Sequence, residues 1–305
     1  MSKIGFIGLG RMGKSMALNL CRKGFDLIVF DLNVSATNDL KEAGALVSPS
    51  VKDIATECDI VVTMLPSSKE VEFVALGANG IFANAKAGTV LLDMSTIDPA
   101  STLRLHEIAL SHGQTVVDAP VGRLAIHADR GESLFMVGAS DTDFPRVEPL
   151  LRAMGTTIYH CGPVGAGGKT KLVNNFMAIS LCQMNGEALA LSQKFGLDIT
   201  TTLSVLYGTS ATNGQLRLNF PNKVLVNDLT PGFTIDLAHK DLSLVLASAH
   251  ANSVPMPLAA SVYEFFSQAR AAKFGHYDFT GITDVICNLS NIEKPRVPEG
   301  WKVEN

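Results

Sequence analysis

A glycine-rich turn near the start of the chain has the residue types and spacing that bind phosphate groups. Its sequence is Gly8-Leu9-Gly10-Arg11-Met12-Gly13, and it follows an apolar run that predicts a strand over Lys3–Ile7. This pattern needs glycine for a tight turn, for close approach of the backbone to a pyrophosphate, and for packing of the next helix on the sheet. The N-terminus of that helix supplies unpaired amides and the positive end of its dipole. The alternative is a glycine turn that only packs.

The residues that we predict to bind a dinucleotide at this turn are Gly8, Gly10, Arg11, Met12 and Gly13. Asp31, which directly follows the second predicted strand, adds a preference between cofactors. A carboxylate there accepts hydrogen bonds from the adenosine ribose and repels a 2′-phosphate. Because no arginine in residues 32–36 could receive that phosphate, the sequence favours NAD(H). Asp31 could also cap a helix that begins near Val34, and the two roles are compatible.

Two later predicted strands end in residues that suit a ligand. Leu65 and Pro66 end one of them, and Ser95 and Thr96 follow the other. An open α/β sheet binds ligands at the carboxyl ends of its strands. We therefore expect Leu65, Pro66 and Thr96 to contact the cofactor and Ser95 to contact the substrate. Ser95 and Thr96 could instead cap the helix that follows.

Short apolar runs alternate with helix-like stretches through the first half of the chain. The predicted strands are Lys3–Ile7, Asp26–Phe30, Ile60–Met64, Thr89–Asp93, Thr115–Ala119, Leu134–Gly138 and Thr157–Cys161. The predicted helices are Gly13–Lys23, Val34–Ala43, Val51–Glu57, Lys69–Leu76, Ala100–His112 and Phe144–Met154. This alternation predicts βαβ units, and therefore an α/β fold with a Rossmann-type, doubly wound, mostly parallel sheet.

The pattern changes after Gly162, where a glycine-rich loop leads into an apolar-periodic segment that runs from Lys169 to about Phe195. The later segments are typical of helices and loops, with helices predicted over Thr200–Leu206, Leu237–Ala251 and Leu258–Ala272. We predict an NAD-binding domain over residues 1–162 and an all-α domain for substrate binding and oligomerisation over 163–305, joined by the long helix. The polar, proline-bearing stretch Asn291–Asn305 is expected to fray.

Composition excludes several classes of protein. A net charge of −4 argues against a nucleic-acid partner, and no apolar run approaches the ~18 residues of a membrane span. The five cysteines form no CxxC pair or ligand-spaced cluster, which predicts a reduced, cytoplasmic protein with no metal site. Because a strand is predicted from Lys3, we also expect no signal peptide.

Taken together, these motifs resemble the β-hydroxyacid dehydrogenase family, which includes 3-hydroxyisobutyrate dehydrogenase and tartronate semialdehyde reductase. The matching segments are Gly5–Gly13, Asp118–Gly122, Gly165–Asn175 and Lys240–Leu242. The most specific of them reads Gly-x-x-x-x-x-Lys-x-x-Asn-Asn. The resemblance implies an NAD-dependent oxidoreductase that moves a hydride between the nicotinamide and a small, anionic hydroxy acid or aldehyde.

In that family the lysine that matches Lys171 is catalytic, and the asparagine that matches Asn175 assists it. The two positions lie one helical turn apart, so they share a face and can converge on one substrate oxygen. A lysine ammonium can polarise a carbonyl and then protonate the alkoxide that hydride delivery forms. Asn174 lies on an adjacent side and is expected to reach a second group on the substrate. The alternative for Lys171 is a solvated surface lysine.

The resemblance also places Lys240 near the cofactor and Phe233 in the wall of the nicotinamide pocket. Both residues have plain alternatives. Lys240 could pair with Asp236, one helical turn earlier, and Phe233 could belong to the core.

The middle motif departs from the family pattern Asp-Ala-Pro-Val-Ser-Gly-Gly, whose serine and glycines hold the substrate carboxylate. In this chain Gly122 replaces the serine and Arg123 replaces the first glycine. An arginine fork suits a bulky tetrahedral oxyanion such as a sulfonate. We therefore expect Arg123 and the Gly122 amide to bind the acid group, together with Asn174 and Ser95. The alternative for Arg123 is a loop arginine that pairs with Asp129, Glu132 or solvent.

Further segments resemble the branch of the family that reduces 3-sulfolactaldehyde to 2,3-dihydroxypropane-1-sulfonate with NADH. They are residues 221–225, 235–242, 254–258 and 267–272. One alternative is a carboxylate-specific enzyme for 3-hydroxyisobutyrate, tartronate semialdehyde or 4-hydroxybutyrate. Others are a non-catalytic NAD-binding sensor and a decarboxylating enzyme like 6-phosphogluconate dehydrogenase, for which the second domain looks too small. A homodimer or homotetramer is expected.

Overall fold

The computed structural model describes residues 2–303. A sheet with nine strands among these residues organises the first half of the chain. The strands are β1 (Ile4–Ile7), β2 (Leu27–Phe30), β3 (Leu46–Val47), β4 (Ile60–Thr63), β5 (Val90–Asp93), β6 (Thr115–Asp118), β7 (Val121–Gly122), β8 (Ser133–Gly138) and β9 (Gly155–Gly162). Their order is β3-β2-β1-β4-β5-β6-β8-β7, and β9 pairs with β8. Strands β1 to β6 are parallel, whereas β8 is antiparallel to β6 and β7. The order β3-β2-β1-β4-β5-β6 is that of a dinucleotide-binding sheet, so the predicted Rossmann-type fold is confirmed.

The first unit of the chain ends at Lys171 and the second begins at Leu172. Helices of the first unit are α1 (Arg11–Arg22), α2 (Asn38–Glu42), α3 (Val51–Glu57), α4 (Ser68–Leu76), α5 (Ile81–Asn84), α6 (Pro99–Ser111), α7 (Ala125–Asp129) and α8 (Phe144–Met154). Helix α9 (Ala166–Lys194) continues into the second unit, which also contains α10 (Ile199–Tyr207), α11 (Ile235–Ala251), α12 (Pro257–Ala271) and α13 (Ile282–Ser290). Single turns of 3₁₀ helix occur at Val34–Thr37, Phe220–Asn222, Val224–Val226 and Phe279–Gly281, and a π turn at Gln215–Asn219.

Both faces of the sheet are buried. Successive residues of each strand point to opposite sides of the sheet, and they pack into two different apolar clusters. In β1, Phe6 belongs to one apolar cluster, which includes Met16 and Leu20 of α1. Its neighbour Ile7 belongs to a second cluster, which includes Ile54 of α3. This burial explains why the central strands are uninterrupted apolar runs rather than alternating ones.

Several short elements of the first unit were not predicted. The strands β3 and β7 have 2 residues each and α5 has 4, which is too short to show a periodic pattern. The helix predicted over Val34–Ala43 is divided into a 3₁₀ turn and α2.

The second unit is helical. Its larger apolar cluster includes Leu203, Phe220, Leu242 and Phe266, and a smaller one contains Leu172, Val245 and Ala259. Local sequence patterns do not predict α13, because its β-branched residues have low helix propensity. Burial of the α13 side chains of Ile282 and Val285 stabilises this helix instead.

The expectation that Asn291–Asn305 frays is wrong for the part that the structure describes. Arg296 donates to both carboxylate oxygens of Asp284 at 2.8 and 2.7 Å. The amide of Val297 donates to the carbonyl of Leu225 at 3.0 Å, and Trp301 packs against the core of the second unit. Buried apolar contacts and an ion pair therefore fix this segment despite its polar composition. Residues 304 and 305 lie outside the described residues.

Among residues 2–303, none of the helices has both the length and the apolar character that crossing a bilayer requires.

Candidate functional site

The glycine turn between β1 and α1 shows why two of its glycines are required. Gly8 has φ +98°, and a Cβ added there would lie 2.4 Å from the carbonyl oxygen of Met64. A Cβ at Gly13 would lie 2.0 Å from the carbonyl oxygen of Gly8, because α1 packs closely on the turn. Gly10 differs, since a Cβ there would meet no atom within 4 Å. The chain's own packing therefore requires Gly8 and Gly13, while the space beside Gly10 is open.

The N-terminus of α1 fits the pyrophosphate of a dinucleotide. Gly10 is the N-cap residue, no side chain caps the helix, and its first turn contains no acidic residue. The first amides of a helix have no intrahelical acceptor, and the dipole there attracts an anion. Unpaired donors beside open space are what a pyrophosphate needs.

Arg11 and Met12 would contribute to this site through their backbone amides. Both terminal nitrogens of the Arg11 guanidinium donate to the carboxylate of Asp129 at 2.6 Å. This pairing lowers the pKa of Asp129 to about 2. The side chain of Met12 packs against the core of the first unit.

Asp31 ties the end of β2 to the glycine turn. Its Oδ2 accepts from the amide of Leu9 at 2.6 Å and its Oδ1 from the amide of Asn33 at 2.7 Å. Asn33, rather than Asp31, caps the 3₁₀ turn by accepting from the amide of Ser35. A carboxylate has about four lone-pair positions, so these two bonds leave acceptors for ribose hydroxyls.

A hydrogen bond joins the ends of β4 and β5 beside this turn. The hydroxyl oxygen of Ser95 accepts from the amide of Leu65 at 2.9 Å, and Ser95 is buried. The N-cap of α6 is Asp98, which accepts from the amide of Ala100, so capping explains neither Ser95 nor Thr96. Pro66, next to Leu65, is exposed.

Lys171 is a buried lysine near the start of α9, so its interpretation as a solvated surface residue is wrong. It is 9% exposed, and its Nζ donates to the carbonyl oxygen of Val121 at 2.6 Å. Buried ammonium groups require such hydrogen bonds. The middle motif therefore fixes the position of this amine within the first unit.

Asp118 links the same motif to the start of α9, and sequence reasoning assigned it no role. Its two carboxylate oxygens accept from the amides of Gly165 at 2.6 Å and Gly168 at 2.7 Å. A Cβ at Gly167 would lie 2.2 Å from the carbonyl oxygen of Met136, so the helix start packs tightly on β8. The only signal for Asp118 in the sequence was its place in the family motif.

Burial raises the pKa of Asp118 to about 6, against the effect of the two amides. Because this pKa exceeds that of an unfolded aspartate, the native state binds more protons between pH 4 and 6, and stability falls as pH rises through that range. Relative to Asp118→Asn, which does not titrate, the free energy of unfolding of the wild type should therefore fall by about 2–3 kcal/mol from pH 4 to 7. Urea unfolding at four pH values measures this.

Asp129→Asn is the matched control for the Asp118 prediction. Because the pKa of Asp129 is lowered to about 2, its contribution to stability is lost only as pH falls from about 4 towards 2. The difference in the free energy of unfolding between Asp129→Asn and the wild type should therefore not change from pH 5 to 7. If the free energies of unfolding of Asp118→Asn and the wild type varied with pH in parallel, the raised pKa of Asp118 would be wrong.

In the second unit, Asn175 belongs to a hydrogen-bond network that includes Asn174, Lys240 and Asp241. The Nδ2 of Asn174 donates to the Oδ1 of Asn175 at 3.0 Å, and the Nδ2 of Asn175 donates to the Oδ2 of Asp241. The Nζ of Lys240 lies 2.8 Å from the Oδ1 of Asp241. The structure thus brings together three predicted residues around Asp241, a buried carboxylate that sequence reasoning did not single out.

Phe233 matches its alternative as a core residue. Its ring packs edge-on against Phe279, with 5.4 Å between the ring centroids, and it contacts the core of the second unit. Asp236, the alternative partner of Lys240, is paired with Arg270 at 2.6 Å.

Arg123 makes the contacts of a loop-ordering residue. Its Nη1 donates to the carbonyl of Glu132 at 2.6 Å and to the hydroxyl of Thr156 at 3.0 Å, and its Nη2 donates to the hydroxyl of Thr157 at 3.0 Å. The first contact uses the carbonyl of Glu132 rather than the expected carboxylate, and Asp129 is bound by Arg11 instead. Arg123 also has φ +72°, a left-handed conformation that favours glycine.

Gly122, the other predicted acid-binding residue of this loop, lies in β7 opposite Leu134 of β8. A Cβ there would lie 3.1 Å from the Leu134 side chain, so close packing favours glycine at this position.

Within residues 2–303, no group of three or more histidine, cysteine, aspartate or glutamate side chains is placed to hold a metal ion.

Comparison with known proteins identifies both halves of the chain. Residues 3–162 match the family described as the NAD binding domain of 6-phosphogluconate dehydrogenase. Residues 165–286 match the family described as NAD-binding of NADP-dependent 3-hydroxyisobutyrate dehydrogenase.

Individual relatives agree with these matches. The chain is 39% identical to 3-sulfolactaldehyde reductase of Escherichia coli K12, over 94% of this chain and 96% of the relative. It is 36% identical to 2-(hydroxymethyl)glutarate dehydrogenase of Eubacterium barkeri, over 93% and 94%. Among solved structures, 3-hydroxyisobutyrate dehydrogenase of Mycobacterium tuberculosis with L-serine superposes with a TM-score of 0.87 at 30% identity, covering 94% of this chain and 99% of that one. The chain therefore belongs to the β-hydroxyacid dehydrogenase family of 3-hydroxyisobutyrate dehydrogenase, and it is an oxidoreductase that acts on CH–OH groups with NAD(H) as its cofactor.

Proposed function

We propose that this enzyme reduces 3-sulfolactaldehyde to 2,3-dihydroxypropane-1-sulfonate with NADH, in a reversible hydride transfer. The observation that carries the proposal is Arg123, a left-handed arginine in the loop where the family has a carboxylate-binding glycine. Residues held in such conformations cost free energy and are concentrated at functional sites. The similarity to an E. coli 3-sulfolactaldehyde reductase over nearly the whole chain supports the same substrate.

The contacts of Arg123 leave it able to bind an oxyanion. Its three hydrogen bonds use both N–H groups of Nη1 and one of Nη2. The edge formed by Nε and the other N–H of Nη2 is the fork that binds an oxyanion in a bidentate manner. Thr156 and Thr157 would therefore hold the guanidinium in place while its other edge binds the sulfonate. In this proposal Gly122, Asn174 and Ser95 complete the acid-binding group.

Lys171 is the proposed general acid. When bound at the glycine turn, NADH supplies the hydride to the aldehyde carbon. The Nζ of Lys171 would donate a hydrogen bond to the aldehyde oxygen and then its proton to the alkoxide. Solvent would reprotonate the amine, so that one aldehyde, one NADH and one proton give one alcohol and one NAD⁺. The Asp241 carboxylate would hold the Asn175 amide beside that oxygen.

The remaining cofactor contacts are proposed from the same arrangement. Asp31 would bind the adenosine ribose, while Leu65, Pro66 and Thr96 would line the cofactor at the strand ends. Lys240 would lie near the nicotinamide, and Phe233 would contribute to its pocket from the edge of the core. We also propose a cytoplasmic location, because all five cysteines are free and thus suit a reducing compartment.

A substrate panel tests the proposal. Activity with NADH should be greatest on 3-sulfolactaldehyde, and Arg123→Gly should raise its KM by about 10–100-fold, as expected for a lost bidentate contact to a charged group. KM for tartronate semialdehyde, the carboxylated three-carbon analogue, should change by less than about 3-fold. Stopped or continuous assays of NADH oxidation at 340 nm measure both.

Arg130→Ala is the matched control, because Arg130 is an exposed arginine that directly follows α7, seven residues after Arg123. It should leave both KM values unchanged. If Arg123→Gly raised KM equally for the two substrates, Arg123 would only order the loop, and its selection of a sulfonate would be refuted.

A carboxylate-specific enzyme is the second candidate. The loop-ordering bonds of Arg123 favour it, as does the similarity to 2-(hydroxymethyl)glutarate dehydrogenase. Activity on carboxylated aldehydes alone would establish it, and absence of NADH oxidation on every substrate would favour a non-catalytic sensor.

A further inference from the structure

Helix α7 is a short element that directly follows the predicted acid-binding loop. It begins at Ala125, two residues after Arg123, and it ends at Asp129, so it has only 5 residues. A helix of this length is not stable by itself. Its buried side chains are those of Ala125 and Ala128, and two methyl groups bury little apolar surface. The position of α7 must therefore depend largely on polar contacts.

Three polar side chains on one face of α1 supply such contacts. Arg11, Ser15 and Asn19 are spaced four residues apart, so they lie above one another along the helix. The guanidinium of Arg11 donates to both carboxylate oxygens of Asp129 at 2.6 Å, and the Ser15 hydroxyl donates to one of them at 2.5 Å. The Nδ2 of Asn19 donates to the carbonyl oxygen of Ala128 at 2.7 Å, in a buried position. The end of α7 is thus held on α1.

The Arg11–Asp129 pair differs from an ordinary surface ion pair. Its side chains are 57% and 41% exposed, and a single-point ion pair with this exposure would contribute little. Here the pair is bidentate, which fixes its geometry, and it shares a carboxylate oxygen with Ser15. It also joins two segments that are 118 residues apart in the chain. The pair can therefore transmit the position of α1 to α7.

Each end of this connection reaches one of the two proposed ligand sites. Arg11 is the first residue of α1, where unpaired amides are proposed to bind the pyrophosphate. Its amide therefore lies at the proposed cofactor site while its guanidinium holds α7. On the other side of α7, Arg123 donates to the carbonyl oxygen of Glu132 at 2.6 Å. Because this bond closes the segment around α7, a shift of α7 would also move Arg123.

We propose that Asp129 is a positioning residue that couples cofactor binding to substrate binding. NADH at the glycine turn orders α7 through Arg11 and Asp129, and the ordered α7 sets the acid-binding loop for the substrate. The inference rests on the proposed function for the location of the two sites, but it does not depend on which acid binds. Coupling between two ligands is reciprocal, so the acid should also tighten the binding of NADH by the same factor.

Hydrogen exchange on the full-length protein, with and without NADH, tests the ordering of α7 in the absence of any substrate. In the wild type, saturating NADH should slow amide exchange in residues 124–131 by at least about 5-fold. In Asp129→Asn the slowing should fall below about 2-fold, while NADH still protects the amides at the start of α1. Glu148→Gln is the matched control, because it breaks an arginine–carboxylate pair that lies within α8 and joins no second segment. This control should behave like the wild type.

The coupling itself is the ratio of the NADH dissociation constants measured without and with a saturating acid that cannot react with NADH. The alcohols 2,3-dihydroxypropane-1-sulfonate and glycerate serve in turn, so an enzyme that accepts only a carboxylate is tested as well. The ratio should be about 5–20 in the wild type. It should fall below about 2 in Asp129→Asn, in Arg11→Ala and in the variant with both changes, because all three break the same pair. Without the acid, Asp129→Asn should bind NADH within about 2-fold of the wild type, since it leaves the glycine turn intact.

The outcomes separate this inference from the proposed substrate. If NADH did not slow exchange in residues 124–131 of the wild type, or slowed it equally in Asp129→Asn, Asp129 would have no coupling role. A ratio that kept its wild-type value in Asp129→Asn would overturn the coupling with either acid. If the wild type showed the ratio with glycerate alone and Asp129→Asn lost it, the coupling would be supported and the sulfonate substrate would be wrong.

Discussion

Replacing Lys171 by alanine should lower kcat by about 10²–10⁴-fold, the usual contribution of a positioned general acid. Its Nζ is buried and donates to the carbonyl oxygen of Val121, which holds the amine in one position. The dissociation constant of NADH should stay within about 2-fold of the wild type, because the glycine turn proposed to bind it is formed by other residues. Steady-state kinetics and NADH fluorescence measure the two quantities.

Two further variants separate catalysis from folding. Lys171→Met keeps most of the side-chain volume, so its melting temperature should be closer to that of the wild type than that of Lys171→Ala, while its kcat falls as far. Lys169→Ala is the control. It removes an exposed lysine of the same helix, two residues before Lys171, and should retain full turnover. If Lys171→Met were folded and kept its kcat, the proton donor would have to be another residue.

Substituting alanine for Gly13 should destabilise the first unit by about 3 kcal/mol, as overpacking of a rigid site does. The added methyl would lie 2.0 Å from the Gly8 carbonyl oxygen and 3.3 Å from the ring of Phe6, and neither the backbone nor the buried ring can move away cheaply. Thermal unfolding should show the loss, and NADH binding should weaken with it.

Gly10→Ala distinguishes packing from ligand approach. Its φ of −65° suits any residue, and a Cβ would meet no atom within 4 Å, so the melting temperature should be unchanged. The methyl would nevertheless occupy the space that a pyrophosphate needs, and the dissociation constant of NADH should rise at least about 10-fold, as expected where the backbone must approach the phosphates. Unchanged NADH affinity in this variant would place the pyrophosphate elsewhere.

Local patterns were sufficient to predict most of the first unit. The helices Val51–Glu57 and Phe144–Met154 and the buried strands are bounded by signals that lie within a few residues of them, such as Ser50, which caps α3. The glycine turn and Asp31 were also predictable, because a turn, a strand and a helix that adjoin in sequence position them.

The arrangement around the candidate site depends on residues that are far apart in the chain. The bond from Lys171 to Val121 spans 50 residues, and that from Asn175 to Asp241 spans 66. Periodicity places each residue on a face of its own element but does not state which strand end or helix will lie opposite. For this reason Asp118 and Asp241 had no signal beyond the motifs that contain them.

The sequence by itself determined the strand–helix alternation, the glycine turn after β1 and the lysine–asparagine spacing, because each of these follows from the geometry of a single element or of two neighbouring ones. The tertiary structure decided that Lys171 is buried, that Arg123 is anchored by Thr156 and Thr157, and that the tail through Val303 packs. These outcomes depend on which polar groups must find partners once distant segments exclude water, and no local pattern encodes that choice.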